Sequence, residues 1–134
     1  MKTLITIRID YMPSRIFAQG NMDIDNLSNV VWILRAVSDK TRLRIVSLLG
    51  SGEQSVCDLA EALQLAQPTV SRHLAYLKRA RLIVARREAN RKYYWLAHPD
   101  NPFHAKLMEA LQCHFDAANQ FITDAQRLQS ARHG

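Results

Sequence analysis

The spacing of apolar residues changes along this chain, and that change restricts the fold more than any other feature of the sequence. From residue 25 to residue 77, apolar residues recur every three or four positions, as on one face of an amphipathic α-helix. Over residues 82–96 the spacing shortens to two, and β-favouring residues accumulate, as in a half-buried hairpin. From residue 103 the helical spacing returns. The order of helices, hairpin and helix predicts a mostly α fold with a small β-hairpin.

Four helices are predicted before the hairpin, and capping signals mark several of their ends. Ser38 and Asp39 are suited to cap the second helix, which ends at the Gly-Ser-Gly sequence of residues 50–52. Ser55 is suited to cap a short third helix, and residues 64–66 form the turn after it. Pro68 lies in the first turn of the fourth helix, where its missing amide loses no hydrogen bond. Two helices joined by a short turn and followed by a hairpin predict a winged helix-turn-helix.

The length of the chain suits one domain, and these patterns divide it. Residues 1–21 are predicted to be an N-terminal extension whose order the sequence does not define, and Met22 would make a natural alternative start. Residues 22–130 are predicted to form a single winged helix-turn-helix domain. Within it we expect a recognition helix at about 67–80, a wing at about 82–97 with Asn90 left-handed at its tip, and a C-terminal dimerisation helix at about 103–128.

Positive charge is concentrated in one fifth of the chain. Residues 67–92 contain eight Lys and Arg residues and a single acidic residue, Glu88, whereas the rest of the chain has ten basic and eleven acidic residues. The formal net charge of +6 therefore comes from this one segment. A charge run by itself is often an ordinary solvated face. On a near-neutral domain with a predicted recognition helix, it is typical of a surface that binds a polyanion such as DNA.

The fourth helix has the pattern of a DNA-recognition helix. Its apolar stripe of Val70, Leu74 and Leu77 is predicted to face the core and to leave polar side chains outward. Gln, Arg and Thr can bond base edges or phosphates, and basic side chains of the hairpin, Arg86 among them, suit the adjacent phosphates and minor groove. The predicted DNA-binding residues are Gln67, Thr69, Ser71, Arg72, His73, Tyr76, Arg87, Asn90, Arg91 and Lys92.

The first and last helices carry apolar residues around more than one stripe, including Trp32, Phe115 and Phe121. A three-helix core of this size would not cover all of them. We therefore expect a homodimer that pairs these helices across a two-fold axis and places two recognition helices one DNA turn apart. The alternative is that the terminal helices pack on the core of their own chain.

Three runs of this sequence carry distinctive motifs: LRAVSDKTRLRIVSLL, SVCDLAEALQLAQPTVSRHLAYLKRARLI and ANRKYYWL. Together they resemble the ArsR/SmtB family of metal- and ligand-sensing repressors, over about residues 27–97. The resemblance implies a homodimeric winged-helix repressor that leaves its double-stranded operator DNA when an inducer binds or a thiol is modified. Many family members have Ser or Thr before the recognition helix. This chain has Ala66 there and so lacks that side-chain cap.

The resemblance leaves the effector open, and the first alternative is a thiol sensor. Family sensors of arsenic and cadmium carry Cys-Val-Cys-Asp-Leu in the third helix, where this chain has Ser55 and then Cys57. One thiolate does not make a trigonal site for a soft ion, so Cys113 would have to complete it. Cys57 and Cys113 are the predicted sensor thiols, for a thiophilic ion such as arsenite or for oxidation or persulfidation. The same two cysteines also suit buried core positions without any sensing role.

The second alternative for the effector is zinc. Zinc-sensing relatives bind the ion on the last helix, and Asp100, His104 and His114 resemble that pattern incompletely. Ten residues of helix leave the side chains of His104 and His114 about 80° apart, and Ala117 occupies the place of a fourth ligand. Zinc is therefore the less favoured candidate, and no cofactor is assigned.

Other classes of protein are disfavoured by features that the sequence lacks. No stretch reaches the ~18 uninterrupted apolar residues of a membrane helix, and residues 1–10 do not read as a signal peptide. Two cysteines are too few for a disulfide framework, so we expect a cytoplasmic protein with no membrane partner. No Gly-rich phosphate loop or Gly-x-Ser-x-Gly motif is present, so we do not expect an enzyme. The remaining alternative is a constitutive or architectural DNA-binding protein without a sensor site.

Overall fold

Helices and a small sheet alternate in the expected order in a computed structural model, which describes residues 23–133. The expectation for residues 1–21 lies outside the described residues. The elements are α1 (Asp23–Val37), α2 (Lys40–Leu49), β1 (Gln54–Ser55), α3 (Val56–Leu63), α4 (Gln67–Arg79), β2 (Ile83–Glu88), β3 (Arg91–Leu96), α5 (Pro102–Phe115) and α6 (Asn119–His133).

The predicted helix caps are confirmed at Asp39 and Ser55, whereas the Ser38 hydroxyl donates to the Arg35 carbonyl of α1 and does not cap α2. The Asp39 carboxylate accepts a hydrogen bond of 2.9 Å from the Arg42 amide at the start of α2. Ser55 Oγ accepts one of 3.1 Å from the Asp58 amide at the start of α3. At the other end of α3, Gln64 takes a left-handed conformation with φ 58° and so turns the chain towards α4. These local interactions place α3 and α4 as consecutive helices joined by a short turn.

The apolar stripe of α4 packs into the centre of the core, as predicted. Val70, Leu74 and Leu77 have no exposed surface. The core around them includes fully buried apolar side chains of α1, α2, α3 and the start of the wing, and the largest of these are Ile33, Ile45, Leu48, Leu49, Leu59, Leu82 and Ile83. Because its inner face is held in this way, α4 turns its polar face away from the domain.

The sheet has three antiparallel strands in the order β1-β3-β2, one more than the sequence predicted. β1 is the added strand, and its two residues, Gln54 and Ser55, lie opposite Tyr94 and Tyr93 of β3. A strand of two residues is too short to show an alternating pattern, so periodicity does not predict it. β1 connects the hairpin to the start of α3 and thereby ties the wing to the helix-turn-helix.

The prediction for the hairpin tip is wrong in one residue. Ala89, not Asn90, has a positive φ, of 55°. Glu88 pairs with Arg91, so the loop contains two residues, and the left-handed conformation falls on the first of them. Two-residue loops with this conformation favour Gly at that position, whereas Asn is favoured where both residues are left-handed.

The predicted single helix at 103–128 is also wrong, because the chain breaks at residues 116–118 into α5 and α6. The break allows α6 to fold back against α2 and α3. There Leu128 enters the core, and the fully buried Asp124 carboxylate meets Arg44 of α2 at 2.8 Å. A straight helix would have carried both side chains away from the domain.

The aromatic residues assigned to a dimer interface are largely covered within one chain. Phe115 is buried, and Phe121 packs on it with ring centroids 4.6 Å apart. Trp32 is half-buried against Tyr76. Apolar side chains that remain exposed on α1 are Leu27, Val31 and Leu34, spaced four and three residues apart. The candidate for pairing two chains is therefore the outer face of α1.

Candidate nucleic-acid interface

The outward face of α4 begins at an uncapped helix terminus. Ala66 precedes α4 and makes no side-chain hydrogen bond to it, as the sequence predicted. The amides of Gln67 and Thr69 lie in the first turn, where a helix has no internal acceptor for them. With the positive end of the helix dipole, such amides favour an anion such as a DNA phosphate.

This uncapped terminus leads to our first prediction. Ala66→Ser supplies an oxygen that can accept from the Thr69 amide, and we expect the free energy of unfolding to rise by about 1 kcal/mol. Urea denaturation of both proteins measures the change. Ala75→Ser is the matched control, because Ala75 is exposed in the middle of α4, and serine is a poorer helix former there. Equal effects of the two substitutions would show that position 66 does not act as a cap site.

Several predicted DNA-binding residues do lie on the outward face of α4. Gln67, Ser71 and Arg72 are exposed, and Thr69 is half-buried beside them. Within residues 23–133, the Arg72 guanidinium has no hydrogen bond or ion pair. Gln67 does have a partner, because its Nε2 lies 3.3 Å from Cys57 Sγ on α3. Arg72 is therefore a cation free to bind an acceptor from outside the chain.

His73 and Tyr76 differ from the others, because both face neighbouring helices. His73 Nδ1 lies 3.3 Å from Arg42 Nη1 and 4.0 Å from the Asp39 carboxylate. The pKa of Asp39 is lowered in this setting. Burial acts to raise it, but the hydrogen bond from the Arg42 amide and the nearby charges of Arg42 and His73 outweigh burial. Tyr76 packs against the core between Trp32 and the Arg42 guanidinium, so we assign it to packing instead of to the DNA surface.

The hairpin formed by β2 and β3 carries the second group of predicted DNA-binding residues. Arg87, Asn90, Arg91 and Lys92 are all exposed at or near its tip. In the part of the chain that the structure describes, none of these four side chains has a hydrogen bond or an ion pair. The wing therefore presents three unpaired cations next to the recognition helix.

Arg86, although it belongs to the same basic segment, is bound within the chain. Its Nε and Nη2 lie 2.7 and 2.8 Å from the two carboxylate oxygens of Glu53. The guanidinium also lies over the Tyr93 ring, with its carbon 4.7 Å from the ring centroid. The hydrogen bonds from Arg86 lower the pKa of Glu53, as expected for a paired carboxylate. Arg86 thus anchors the base of the wing to the loop before β1.

The two cysteines are both exposed and both free, which contradicts the alternative of buried core thiols. Cys57 lies in the first turn of α3 and contacts Gln67 of the recognition helix. Cys113 lies in the last turn of α5, a helix that packs on α1, whereas α3 packs on α6. Both thiols are free, so no disulfide joins them within the chain.

The residues proposed for zinc do not form a cluster. His104 is buried, its Nδ1 accepts a 3.4 Å hydrogen bond from the Asp100 amide, and burial lowers its pKa. His114 is exposed and lies edge-on to Phe121. Among residues 23–133, no three His, Cys, Asp or Glu side chains are grouped so that they could hold a metal ion. A zinc site within one chain therefore has no support.

A helix-turn-helix with an uncapped second helix, unpaired cations and a basic hairpin beside it defines a winged helix-turn-helix DNA-binding protein. Residues 39–84 match the model of the family described as bacterial regulatory protein, arsR family. The chain is 39% identical over 98 residues to the arsenic resistance transcriptional regulator of Pseudomonas putida, covering 72% of this chain and 74% of that one. It belongs to the ArsR family and is a DNA-binding repressor of the ArsR type.

Two further comparisons agree with the assignment to the ArsR family. The arsenical resistance operon repressor of Staphylococcus aureus is 42% identical over 66 residues, which cover 49% of this chain and 64% of that relative. The structure is similar to a homodimeric winged helix-turn-helix DNA-binding domain from Mycobacterium bovis, with a TM-score of 0.60 and 31% identity over 74% of this chain and 89% of that one. The family consists of transcription regulators. In residues 23–133, no helix has the length and apolar content needed to cross a bilayer.

Proposed function

We propose that this protein binds a double-stranded operator as a homodimer in the cytoplasm and releases it when an effector reacts with a thiol. The observation that carries the DNA-binding part is the distribution of paired and unpaired cations. Arg44 and Arg86 are neutralised by carboxylates, whereas Arg72, Arg87, Arg91 and Lys92 are unpaired around the outward face of α4 and the wing. Unpaired cations on one surface favour a polyanionic partner.

Each part of this surface has its own role in binding. Gln67, Ser71 and Arg72 lie on the exposed face of α4 and enter the major groove, where Arg and Gln side chains can read guanine and adenine. Thr69 and the free amides at the start of α4 bind a phosphate. Arg87, Asn90, Arg91 and Lys92 contact the adjacent backbone and minor groove, and these contacts set the orientation of the protein on DNA. His73 supports the recognition helix from within the domain.

The exposed face of α1 supports the homodimer. Leu27 is 71% exposed, and Val31 and Leu34 are 40% and 47% exposed, although all three are large apolar residues. They are four and three residues apart, so they form one stripe along the helix. α5 packs against α1, which makes the two helices one continuous surface. Pairing this surface with its copy buries the stripe and brings two recognition helices to one side.

The exposed thiols support sensing by a thiophilic ion or an oxidant. Cys57 Sγ is 3.3 Å from Nε2 of Gln67, the first residue of the recognition helix. An adduct on Cys57 would displace that amide and occupy the space beside the DNA surface. Cys113, on α5, is the second thiol that a site for a soft ion would need. Arsenite, an oxidant or a persulfide donor is therefore a better candidate than zinc, whose proposed residues do not cluster.

The experiment begins with a duplex enriched by the wild-type protein from a random-sequence pool. We expect tight binding of this duplex, weak binding of an unrelated duplex and one protein dimer for each duplex. Arsenite, zinc, cadmium and a polysulfide are then titrated separately into the complex. We expect arsenite or the polysulfide to release the DNA from wild type and to have much less effect on Cys57→Ser. The matched control is Ser130→Ala, an exposed position on α6 and so outside α3 and α4.

Two results would contradict parts of this proposal. Equal affinity for every sequence would indicate an architectural DNA-binding protein. Specific binding that no agent reverses would leave a constitutive repressor, with no sensor at Cys57.

A further inference from the structure

Four side chains from three helices form a continuous stack between α1 and the recognition helix. The Arg42 guanidinium of α2 lies over the Tyr76 ring of α4, 4.1 Å from its centroid. The Tyr76 ring lies 5.6 Å from the Trp32 ring of α1. The Arg79 guanidinium of α4 lies over the other end of the stack, 4.6 Å from the Trp32 ring. We call these four residues the Arg–aromatic stack.

Arg42 is held at the end of this stack by all three of its guanidinium nitrogens. Its Nε donates to the Ala36 carbonyl at 2.7 Å, and its Nη2 donates to the Arg35 carbonyl at 3.1 Å. Both carbonyls belong to the last turn of α1, where a helix leaves acceptors without internal partners. The third nitrogen, Nη1, lies 3.3 Å from His73 of the recognition helix. One side chain thus joins the end of α1 to α4.

This junction links the two helices whose relative orientation matters for reading DNA. α1 carries the exposed stripe proposed to pair two chains, and α4 carries the residues proposed to enter the major groove. In a dimer, the angle between α1 and α4 sets the distance and direction between two recognition helices, and that distance must match successive major grooves. A residue that fixes this angle therefore affects recognition without contacting the DNA.

We propose that Arg42 is a positioning residue, which sets the orientation of the recognition helix relative to the dimer helix through the Arg–aromatic stack. This inference rests on the proposed function, since it requires a sequence-specific dimer. A planar guanidinium can donate along its edge to two carbonyls while its face covers an aromatic ring. The lysine ammonium is a point charge and cannot do both. Arg42→Lys keeps the positive charge but cannot bond both carbonyls while it covers the ring. The variant therefore isolates the positioning role.

The test compares Arg42→Lys with wild type on the duplex enriched from the random pool and on an unrelated duplex. We expect the affinity for the enriched duplex to fall about tenfold, within the range usual for coupling between sites. Affinity for the unrelated duplex and the dependence of binding on salt should stay unchanged, because no phosphate contact is lost. The matched control is Arg35→Lys. Arg35 is exposed in the last turn of α1, and its side chain has no partner among residues 23–133.

A second pair of variants tests the stack even if Arg42→Lys fails to fold. Tyr76→Phe keeps the ring and should bind the enriched duplex within about twofold of wild type, whereas Tyr76→Leu should lose specificity. A loss of binding in Tyr76→Phe would instead show that the hydroxyl contacts DNA. All binding is measured on folded dimer, so a lower melting temperature alone does not change the ratio of specific to non-specific affinity.

The outcomes separate this inference from the proposed function. A wild-type protein that does not prefer the enriched duplex contradicts the proposed function itself. A wild-type protein that prefers it, together with an Arg42→Lys protein of equal preference, overturns the positioning role and leaves the proposed function intact. Loss of affinity for both duplexes with a weaker salt dependence would make Arg42 a phosphate contact, which also overturns the positioning role.

Discussion

Arg72→Ala is expected to weaken binding of the enriched operator duplex by about 1–3 kcal/mol and to relax the base preference at one position of the site. Arg72 is exposed on the outward face of α4 and unpaired within the described chain, so its guanidinium is available to a base edge. Competition binding against duplexes with single base changes measures both effects. Chromatography or sedimentation should show an intact dimer, because Arg72 contacts neither the core nor the exposed stripe of α1.

Arg91→Ala in the wing is the matched control for Arg72. Arg91 is also exposed, and its side chain is unpaired in residues 23–133, but it lies on β3 beside the hairpin tip. A phosphate contact there should weaken binding to all sequences alike and reduce the salt dependence by about one unit. If Arg72→Ala behaved in this same way, Arg72 would bind phosphate and not bases. Unchanged binding by Arg72→Ala would remove this face of α4 from the interface.

Arg44→Met is expected to lower the free energy of unfolding by about 3–5 kcal/mol, because it leaves a buried carboxylate without its cation. Asp124 has no exposed surface, and both of its oxygens accept 2.8 Å hydrogen bonds from Arg44. Gln120 is the only other side-chain donor to this carboxylate within residues 23–133, at 3.0 Å. Urea denaturation measures the loss.

The double variant Arg44→Met with Asp124→Leu is expected to recover most of that stability, since no unpaired charge remains. Glu109→Gln is the control, because Glu109 belongs to an exposed ion pair with Lys106 at 3.7 Å and should change stability by about 0–1 kcal/mol. Equal instability of the single and double variants would mean that the loss comes from altered packing. No effect in Arg44→Met would show that α6 does not depend on this ion pair.

Local signals in the sequence were sufficient for the part of the fold that positions the interface. Asp39 and Ser55 cap their helices as predicted because each needs only an amide three residues away. Val70, Leu74 and Leu77 are buried as predicted because their spacing defines one helical face. The family motifs in addition indicated that the protein is a DNA-binding regulator. Each of these inferences depends on residues that are close in sequence or on a matched pattern.

The failures share a different cause, which is pairing between residues that belong to different elements of the fold. The break before α6 brings Asp124 to Arg44, and no local pattern indicates this pairing. Phe121, Asp124 and Leu128 do have helical spacing, but Asp124 is charged. The three residues therefore do not form a recognisable apolar stripe. At the hairpin tip, Ala89 is left-handed because strand pairing fixes the loop at two residues. The propensity of Asn90 did not decide the outcome.

The same limit applies to the candidate site, because the sequence shows the charge of a side chain but not its bonding partner. Counting charges assigned eight basic residues to one surface, but it could not distinguish the paired Arg86 from the unpaired Arg87. Likewise, the helical position of Tyr76 suggested an outward side chain, whereas its ring packs with Trp32 and Arg42. Arg42 itself was missed as a functional residue, because its role depends on carbonyls of α1 and a ring of α4.

The uncovered stripe of α1 has a consequence for the protein inside a cell. If pairing buries Leu27, Val31 and Leu34, part of the stability of each chain comes from the second chain and grows with protein concentration. A regulator present in few copies would then be least stable when it is free. An operator that holds two chains side by side favours their pairing by mass action. DNA would in this way act as a stabilising ligand of the repressor as well as its target.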